Sequence, residues 1–500
     1  MTRHWLPVTF VFLAALMFLA VSQKLGEAKS LLFSAAVLLA LLVTAGARRP
    51  ALMVSGMVVF VPLQTAILAF LYSSGFPNAA IRGMGLLKEA AVAAVVLAAI
   101  QRSARGRRSA VVAMASAYLA LVTLFLLLPV FVSGVLYDFP LGVRLLAWRS
   151  EGLGLLALVA LANLRLPRKA LEQVCLCVIV TGVILGAGAI WQVSLPKSFD
   201  SFGQTFLHIA QFRRDVLGTN DSTLSSLTLV TVQSGMTTIR AGSFLFEPLT
   251  LAFYLLIPFS LLCARATVRY RPWELASLGV VAAGLLATST RSAVFAAGGS
   301  AIVVLLASKG AARARATSAL GMLGLLLGGS LGASFIRRVS DAKSGQDYST
   351  LEHKNRTRLA YQAFLDNPLG RGLGVSPGSG IRSQTAGSLT AENAYLAVAL
   401  ETGAIGLLLF VGVLGASMVS MGRGASEDVC RRGLIAAGAG LAVSGLFLHT
   451  WAPFAVSLTY WPLIGVALGV ALTTEAPDPD HPPETDTSAH TGENLVPHLP

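Results

Sequence analysis

The stretch Thr390–Phe410, TAENAYLAVALETGAIGLLLF, changes from polar to almost wholly apolar within a few residues. Its apolar part carries a carboxylate, Glu401, and a second carboxylate, Glu392, stands where that part begins. Burying a carboxylate costs several kcal/mol unless the group is paired or used in chemistry. The stretch therefore predicts a membrane helix in which the carboxylates of the first turns are paired or take part in chemistry.

The rest of the chain has the same apolar character. Of its 500 residues, 55% are hydrophobic and 12% are charged, whereas soluble domains carry about a quarter charged residues. This composition excludes a large soluble domain and predicts an all-α, polytopic integral membrane protein. A span needs about 20 apolar residues, which gives about 12–14 transmembrane helices and two long outer-side loops. The predicted spans are 5–22, 31–47, 51–73, 84–100, 110–136, 151–164, 171–192, 246–263, 274–289, 292–308, 316–335, 398–420, 433–450 and 453–473.

The net charge of +14 comes largely from basic residues in alternate connections between these spans. By the positive-inside rule those connections, and both termini, lie in the cytosol. The charge thus reflects topology and attraction to lipid headgroups, and we predict no nucleic-acid partner. The basic clusters are Arg48 and Arg49; Arg102, Arg105, Arg107 and Arg108; Arg165, Arg168 and Lys169; Arg265, Arg269 and Arg271; Lys309, Arg313 and Arg315; and Arg423, Arg431 and Arg432.

Six segments follow from this topology. The first predicted span lacks a convincing cleavage site and is interpreted as a retained anchor. The tail is rich in Pro, Asp, Glu and Thr, so we expect it to be disordered in the cytosol. The segments are 1–192, N-terminal transmembrane helices; 193–245, outer loop; 246–335, transmembrane helices; 336–397, large outer loop; 398–473, C-terminal transmembrane helices; and 474–500, cytosolic tail.

The large outer loop contains the stretch HKNRTRLAYQAFLDNPLGRGLG, which runs from His353 to Gly374. Leu359, Ala363 and Phe364 recur at helical spacing, which predicts a short amphipathic helix along the membrane surface. Pro368 and the glycines after it should end that helix.

The four cysteines do not suggest a metal site. They lie in or beside apolar spans, and one residue between Cys175 and Cys177 does not fit the usual zinc spacing. We interpret them as small core residues. No cofactor and no metal is predicted.

Polar residues at the outer edge of the predicted spans form four groups. Arginine suits phosphate geometry, and a carboxylate beside a membrane can act as a general base. Together they fit transfer of a group away from a diphosphate, in which arginines stabilise the leaving group. The groups are Arg240 with Glu247; Ser289, Thr290, Arg291 and Ser292; Asn355, Arg356 and Arg358; and Glu392, Asn393 and Tyr395.

Structural interpretations stay open for several of these residues. Arg291 could extend to lipid headgroups, and Glu392 could cap a helix. Glu401 is better explained as a structural hydrogen-bonding group at a helix turn than as a catalyst. Other polar residues are weaker candidates: Arg144, Arg149 and Glu151 could pair with each other, Lys88 and Glu89 could form an ion pair, His449 is a reserve base, and His208 and His353 are weaker still.

Four stretches occur in the order RAGSFLFEPLTLAFYLLIP, LLATSTRSAVFA, NPLGRGLGV and AENAYLAVALETGAIGLLLF. Taken together, they resemble the O-antigen ligase and O-antigen polymerase superfamily of bacterial envelope polysaccharide enzymes. The second stretch resembles the family's Ser-Arg turn, the third its Pro-Leu-x-Gly-x-Gly turn and the fourth its His-Asn-x-Tyr-Leu signature. Each stretch alone is a weak signal, but their order and predicted side agree with the family over about residues 240–420.

The resemblance implies an enzyme that moves a glycan from an undecaprenyl diphosphate carrier to a hydroxyl acceptor on the outer face of the bacterial cytoplasmic membrane. It makes Arg291 a diphosphate contact, with Arg240 and Arg356 or Arg358 as weaker candidates. The implied partners are the lipid-linked glycan, a glycan or glycolipid acceptor, and membrane lipids.

The chain departs from the family at one position that matters. Ligases carry histidine where this chain has Glu392, which favours a polymerase over a lipid-A-core ligase. We therefore predict Glu392 as the metal-independent base and Asn393 as the group that orients the hydroxyl, with Tyr395 at the substrate site. The alternative function is a transporter or flippase of lipid-linked glycans, which predicts charges deep in the membrane.

Overall fold

The computed structural model describes residues 44, 46–102, 109–131, 139–218, 229–233, 236–268, 271–328, 348–376, 391–423, 425–426 and 428–474. The predicted span 5–22, nearly all of the span 31–47 and the predicted disorder of the tail beyond residue 474 lie outside these residues.

Helices dominate the described part of the chain. Two strands, β1 (Leu229–Gln233) and β2 (Met236–Arg240), form one antiparallel hairpin with Leu229 opposite Arg240. The described residues also include a π-helical segment (Phe202–Phe206) and a 3-10 turn (Ser243–Leu245). The α-helices are α1 (Pro50–Ser73), α2 (Asn78–Met84), α3 (Leu87–Arg102), α4 (Ala110–Phe131), α5 (Leu141–Ala162), α6 (Arg168–Ser194), α7 (Pro196–Ser201), α8 (Ile209–Asp215), α9 (Pro248–Ala266), α10 (Pro272–Ala287), α11 (Arg291–Ala307), α12 (Gly310–Gly328), α13 (Tyr348–Asp366), α14 (Ala394–Gly422), α15 (Val429–Gly445) and α16 (Phe454–Thr474).

The predicted fold class is confirmed: the chain is an all-α polytopic membrane protein. Within the described residues, eight helical segments are long and apolar enough to cross a membrane, and α10 and α11 are shorter apolar helices. Helix α9 stands at the centre, because every residue in it except Leu249 and Arg265 is buried. A helix that is apolar all round belongs in the interior of a bundle.

The bundle has two chemically different ends. We call the end that holds Arg240, Arg291 and Glu392 the site end, and the end that holds Arg102 and Arg165 the basic end. Helix α11 leads from Arg291 at the site end, and α15 runs antiparallel beside it, with Ser300 Oγ donating to Ala436 O over 2.9 Å. The assignment of these ends to the outside and the cytosol stays a prediction.

In the connection 193–245, residues 196–218 fold as a cap on the site end. Phe199, Phe212 and Phe246 join Leu68 and Ile81 in one buried cluster. The Arg82 guanidinium also donates to Asp215 O over 3.0 Å. These contacts hold the cap and the start of α9 against α1 and α2.

Helix α5 begins at Leu141, earlier than the predicted span at 151–164, because its polar side chains find partners. Arg144 Nη1 donates to Leu126 O over 3.2 Å, and Arg149 pairs with Glu89. The suggested pairing of Arg149 with Glu151 is wrong, since residues two apart on a helix do not face each other. The suggested Lys88–Glu89 ion pair is present at 3.7 Å.

Helices α5 and α16 pack at close range through glycine. A Cβ added at Gly154 would lie 2.7 Å from Ser457 O and 2.8 Å from the Trp461 ring. A Gly154→Ala variant is therefore expected to lose about 1–3 kcal/mol of stability through overpacking. Thermal unfolding in detergent checks this, with Gly415→Ala as the control, because a Cβ at Gly415 meets no atom within 4 Å. Equal melting temperatures for both variants would contradict the prediction.

Candidate functional site

Arg240 lies against the Ser-Arg turn. Its Nε donates to Thr288 O over 3.4 Å and its Nη2 to Thr290 Oγ1 over 3.3 Å. The neighbouring amide of Ala241 donates to Ala287 O over 3.0 Å. Two arginines that are 51 positions apart in the chain, Arg240 and Arg291, thus belong to one corner of the site end.

The turn between α10 and α11 owes its sharpness to Ser289, whose φ is +55°. Thr290 stands at the N-cap and Arg291 is the first residue of α11. The positive end of a helix dipole and its first N–H groups favour an anion. Gln192 fixes the residues that follow Arg240, because its Oε1 accepts from the amides of Gly242 (2.9 Å) and Ser243 (2.8 Å).

Glu392 is held by two side chains of α13. Its Oε1 lies 3.2 Å from Arg356 Nη1, and its Oε2 pairs with His353 Nδ1. Arg356 also pairs with Glu352 on its own helix. The Glu392 side chain is only 17% exposed, so these contacts satisfy a carboxylate that is largely out of water. The carboxylate–imidazole–guanidinium group is the second corner of the site end.

Asn393 is a helix cap in this structure. Its Oδ1 accepts from the amides of Tyr395 (2.8 Å) and Leu396 (3.0 Å), and its Nδ2 donates to Leu446 O over 2.8 Å. The Tyr395 hydroxyl donates to Ala442 O over 2.8 Å. Both residues therefore join α14 to the end of α15, while their predicted roles toward substrate stay predictions.

Glu401 accepts hydrogen bonds from two backbone amides. Its Oε1 accepts from the amides of Gly374 (3.1 Å) and Ser376 (3.3 Å), and the residue is 2% exposed. The interpretation of Glu401 as a structural hydrogen-bonding group is thus confirmed. It explains why a carboxylate stands in an apolar helix: it holds residues 368–376, which we call the glycine latch.

The glycine latch enters a break in α14 at Gly403, which has φ +73° and ψ −173°. The amide of Ala404 donates to Pro368 O over 2.8 Å, and Leu400 O accepts from the amide of Arg371 over 2.7 Å. In a regular helix Ala404 would donate to Leu400. The latch thus supplies hydrogen-bond partners for the Ala404 amide and the Leu400 carbonyl, which do not bond to each other at the break. These bonds attach the end of α13 to α14.

The predicted surface helix exists as α13 and ends before Pro368. Its packed face contains Ala360 and Ala363, whereas Leu359 is 51% exposed. Leu359 lies outside this packed face, because α13 turns His353, Arg356, Ala360 and Ala363 toward α14. Whether Leu359 faces lipid stays a prediction.

The two corners flank the end of α15. A Cβ at Gly440 would lie 3.0 Å from Ala296 O, so α11 lies against one flank of α15. Asn393 bonds to Leu446 on the other flank. Packed helix axes lie about 8–10 Å apart, so two groups on opposite flanks of α15 are separated by up to about 16–20 Å. The meeting of Arg291 and Glu392 in one cavity stays a prediction.

A cavity of about 20 Å³ adjoins Ala394. It is also lined by Glu151, His449 and Trp451. Tyr118 OH donates to Glu151 Oε2 over 2.6 Å. Such a volume holds about one water molecule. His449 lines this cavity, and its role as a reserve base stays a prediction.

His353 is a candidate functional residue that the sequence analysis ranked among the weakest. The spacing His353-x-x-Arg356 puts both residues on the α13 face that carries Ala360, and this spacing could have revealed it. Arg358 lies on a different face of α13 from Arg356 and is exposed. Within the described ranges, His, Cys, Asp and Glu form no group of three that could hold a metal ion.

The fold and these corners define a class: a multi-pass helical membrane protein with arginines and a carboxylate–imidazole pair at one end of its bundle. Residues 275–411 match the family model described as O-Antigen ligase. The predicted resemblance is thereby confirmed, and it supports a membrane enzyme of the O-antigen ligase/polymerase type. The match extends from α10 to α14 and includes Arg291, His353 and Glu392, whereas Arg240 lies before it. Among curated proteins, none matches the chain.

Proposed function

We propose that this protein is a glycosyltransferase that moves a glycan from an undecaprenyl diphosphate carrier to a sugar hydroxyl on a second lipid-linked chain or glycolipid. The observation that carries the proposal is the contact of Glu392 with His353 and Arg356, inside the region that matches the O-antigen ligase family. The enzyme would work on the outer face of the bacterial cytoplasmic membrane, with both termini in the cytosol.

The contacts of Glu392 favour a revised assignment of the base. A carboxylate that is paired with a guanidinium is a poor proton acceptor, because the opposite charge favours its ionised form. A neutral imidazole that donates Nδ1–H to a carboxylate presents Nε2 as the basic atom. His353 is then the general base, Glu392 orients it, and Asn393 positions Glu392 by fixing the start of α14.

The transfer step is a substitution at the anomeric carbon. The acceptor oxygen forms a bond to that carbon while the bond to the diphosphate oxygen breaks. The hydroxyl proton passes to His353 Nε2, and the diphosphate leaves on its lipid with the bonding electron pair. Arg291 and Arg240 would stabilise its charge, so the mechanism needs no metal.

The polymerase variant of this reaction is favoured over ligation to a lipid-A core. Ligases of the family carry histidine at the signature position where this chain has Glu392. Here the imidazole comes instead from α13, so the geometry around the acceptor should differ from that of a ligase.

Arg291→Lys is expected to lower kcat/KM for glycan transfer by about 10- to 100-fold. Lysine keeps the charge but loses the two-pronged contact with phosphate, and a charge-assisted hydrogen bond is worth about 1.5–3 kcal/mol. Initial rates against donor concentration measure this effect. Arg358→Lys serves as the control, because Arg358 is exposed. Equal losses in both variants would remove Arg291 from the diphosphate site.

Purified protein in vesicles tests the function as a whole. Lipid-linked donor and acceptor are supplied only in the outer leaflet, and lengthened glycan is measured by gel electrophoresis. Vesicles with the protein in the site-end-out orientation should lengthen the chains. Absence of product with active donor and folded protein would reject the transferase.

A transporter of lipid-linked glycans is the second candidate, and one group of contacts favours it. Lys88, Glu89 and Arg149 form a charged group, and Lys88 is only 6% exposed. Charges at such positions often mark a path through a membrane protein. Movement of labelled donor between leaflets without any glycan transfer would support this candidate against the enzyme.

A further inference from the structure

A groove at the basic end gathers four arginines from three separate parts of the chain. Arg48 and Arg49 precede α1, Arg102 ends α3 and Arg165 lies between α5 and α6. They surround a cavity of about 370 Å³. Its other lining residues are Pro50, Ala51, Leu52, Leu166, Pro167 and Gln173.

Backbone contacts build the walls of this groove. Arg102 Nη2 donates to Arg48 O over 3.1 Å and to Ala47 O over 3.4 Å, which joins the end of α3 to the corner before α1. The amide of Leu166 donates to Gly469 O over 3.3 Å, and Leu166 is 2% exposed. The walls are therefore set by packing, while Arg48, Arg49 and Arg165 are exposed.

The chemistry of the lining selects an anion. Among the described residues that line it, the side chains carry four positive charges and no carboxylate. Guanidinium groups match the oxygens of a phosphate in geometry and charge. The volume lies in the range of small-molecule sites, about 300–1,000 Å³, so it can hold a phosphate with attached atoms.

One wall of the groove is apolar and leads to lipid. Ala51 and Leu52 begin the apolar helix α1, and Leu52 is 55% exposed. A ligand that lies here would have its phosphate against the arginines and a hydrocarbon part along α1. Basic pockets between transmembrane helices on the cytoplasmic side are known to suit anionic lipid headgroups.

We propose that this groove is a binding site for the headgroup of an anionic glycerophospholipid in the cytosolic leaflet. The site is separate from the transferase corners, since it lies at the other end of the bundle. Bound lipid would join the start of α1, the end of α3 and the α5–α6 connection, and so stabilise the N-terminal half.

The test compares two double variants of equal charge in phosphatidylcholine vesicles that contain increasing phosphatidylglycerol. Arg49→Gln with Arg165→Gln removes two groove arginines but keeps Arg102 and its backbone contacts. Arg271→Gln with Arg423→Gln removes two arginines of the basic end outside the groove. Lipid binding is measured by native mass spectrometry and by the rise in melting temperature. Melting in pure phosphatidylcholine reports whether each variant is folded.

We expect the groove variant to bind phosphatidylglycerol about tenfold more weakly than the parent and the control variant. Equal weakening in both variants would mean a diffuse attraction between charges and overturn the proposal. A separate arm uses inorganic phosphate in detergent. If phosphate alone raises the melting temperature as much as the lipid does, a soluble anion is the ligand and the lipid assignment is wrong.

Discussion

Glu392→Gln and His353→Ala are each expected to reduce glycan transfer by about 10²–10⁴-fold, the usual contribution of general base catalysis. Glutamine keeps the shape of the side chain, but its amide can donate a hydrogen bond to His353 Nδ1 and so favour the wrong tautomer. Because the two residues act as one unit, the double variant should lose little more than either single variant. Single-turnover rates with lipid-linked donor measure these effects.

Glu352→Gln is the matched control, since Glu352 also pairs with Arg356 but lies on the same helix as His353. Its rate should stay within a few-fold of the parent. The activity of His353→Ala separates the two candidate bases: if Glu392 alone removes the proton, this variant keeps most of the activity. That result would restore the original assignment of Glu392 as the base. Parental transfer in Glu392→Gln would remove the pair from the mechanism altogether.

Gly403→Ala is expected to have the largest effect on folding. The backbone conformation at Gly403 is essentially restricted to glycine, and an added Cβ would lie 2.4 Å from Leu369 C. Strain and overpacking together predict a loss of about 2–6 kcal/mol. The glycine latch should detach from α14, so hydrogen exchange at the amides of Arg371 and Ala404 should accelerate. Mass spectrometry of peptides from these regions measures the exchange.

Two further variants show whether the latch itself is responsible. Gly415→Ala lies in the same helix, and a Cβ there meets no atom within 4 Å, so exchange should not change. Glu401→Ala leaves the buried amides of Gly374 and Ser376 without their acceptor, at a cost of about 1–3 kcal/mol each. Slow exchange in the latch of Gly403→Ala would show that residues 368–376 do not depend on the break in α14. Transfer activity should fall with the latch, because the latch holds α13 and thus His353.

The sequence could predict the features that depend on neighbouring residues. Apolar runs predict helices, and the breaks at Pro368 and the following glycines predict where α13 ends, because these preferences act over a few residues. The four polar groups were found because polar residues next to apolar spans need an explanation. The role of Glu401 also followed, since a lone carboxylate in an apolar helix needs hydrogen-bond donors.

The pairing of side chains could not be predicted in the same way. Arg149 is two residues from Glu151 but pairs with Glu89 on α3, since the helical turn directs the two side chains apart. His353 ranked as a weak candidate because its spacing to Arg356 places both on one face of a helix but does not identify Glu392 as their partner. Only the packing of α13 on α14 brings it to Glu392, 39 positions later.

By itself, then, the sequence determined the helical membrane fold, the positions of the polar groups and the resemblance to the O-antigen ligase family. The tertiary structure decided that Glu392 has an imidazole and a guanidinium as partners, that Asn393 is a cap, and that a glycine latch fixes α13. The physical reason is distance. Hydropathy and helix-breaking act between neighbours in the chain, whereas a partner across two helices depends on how the whole bundle packs.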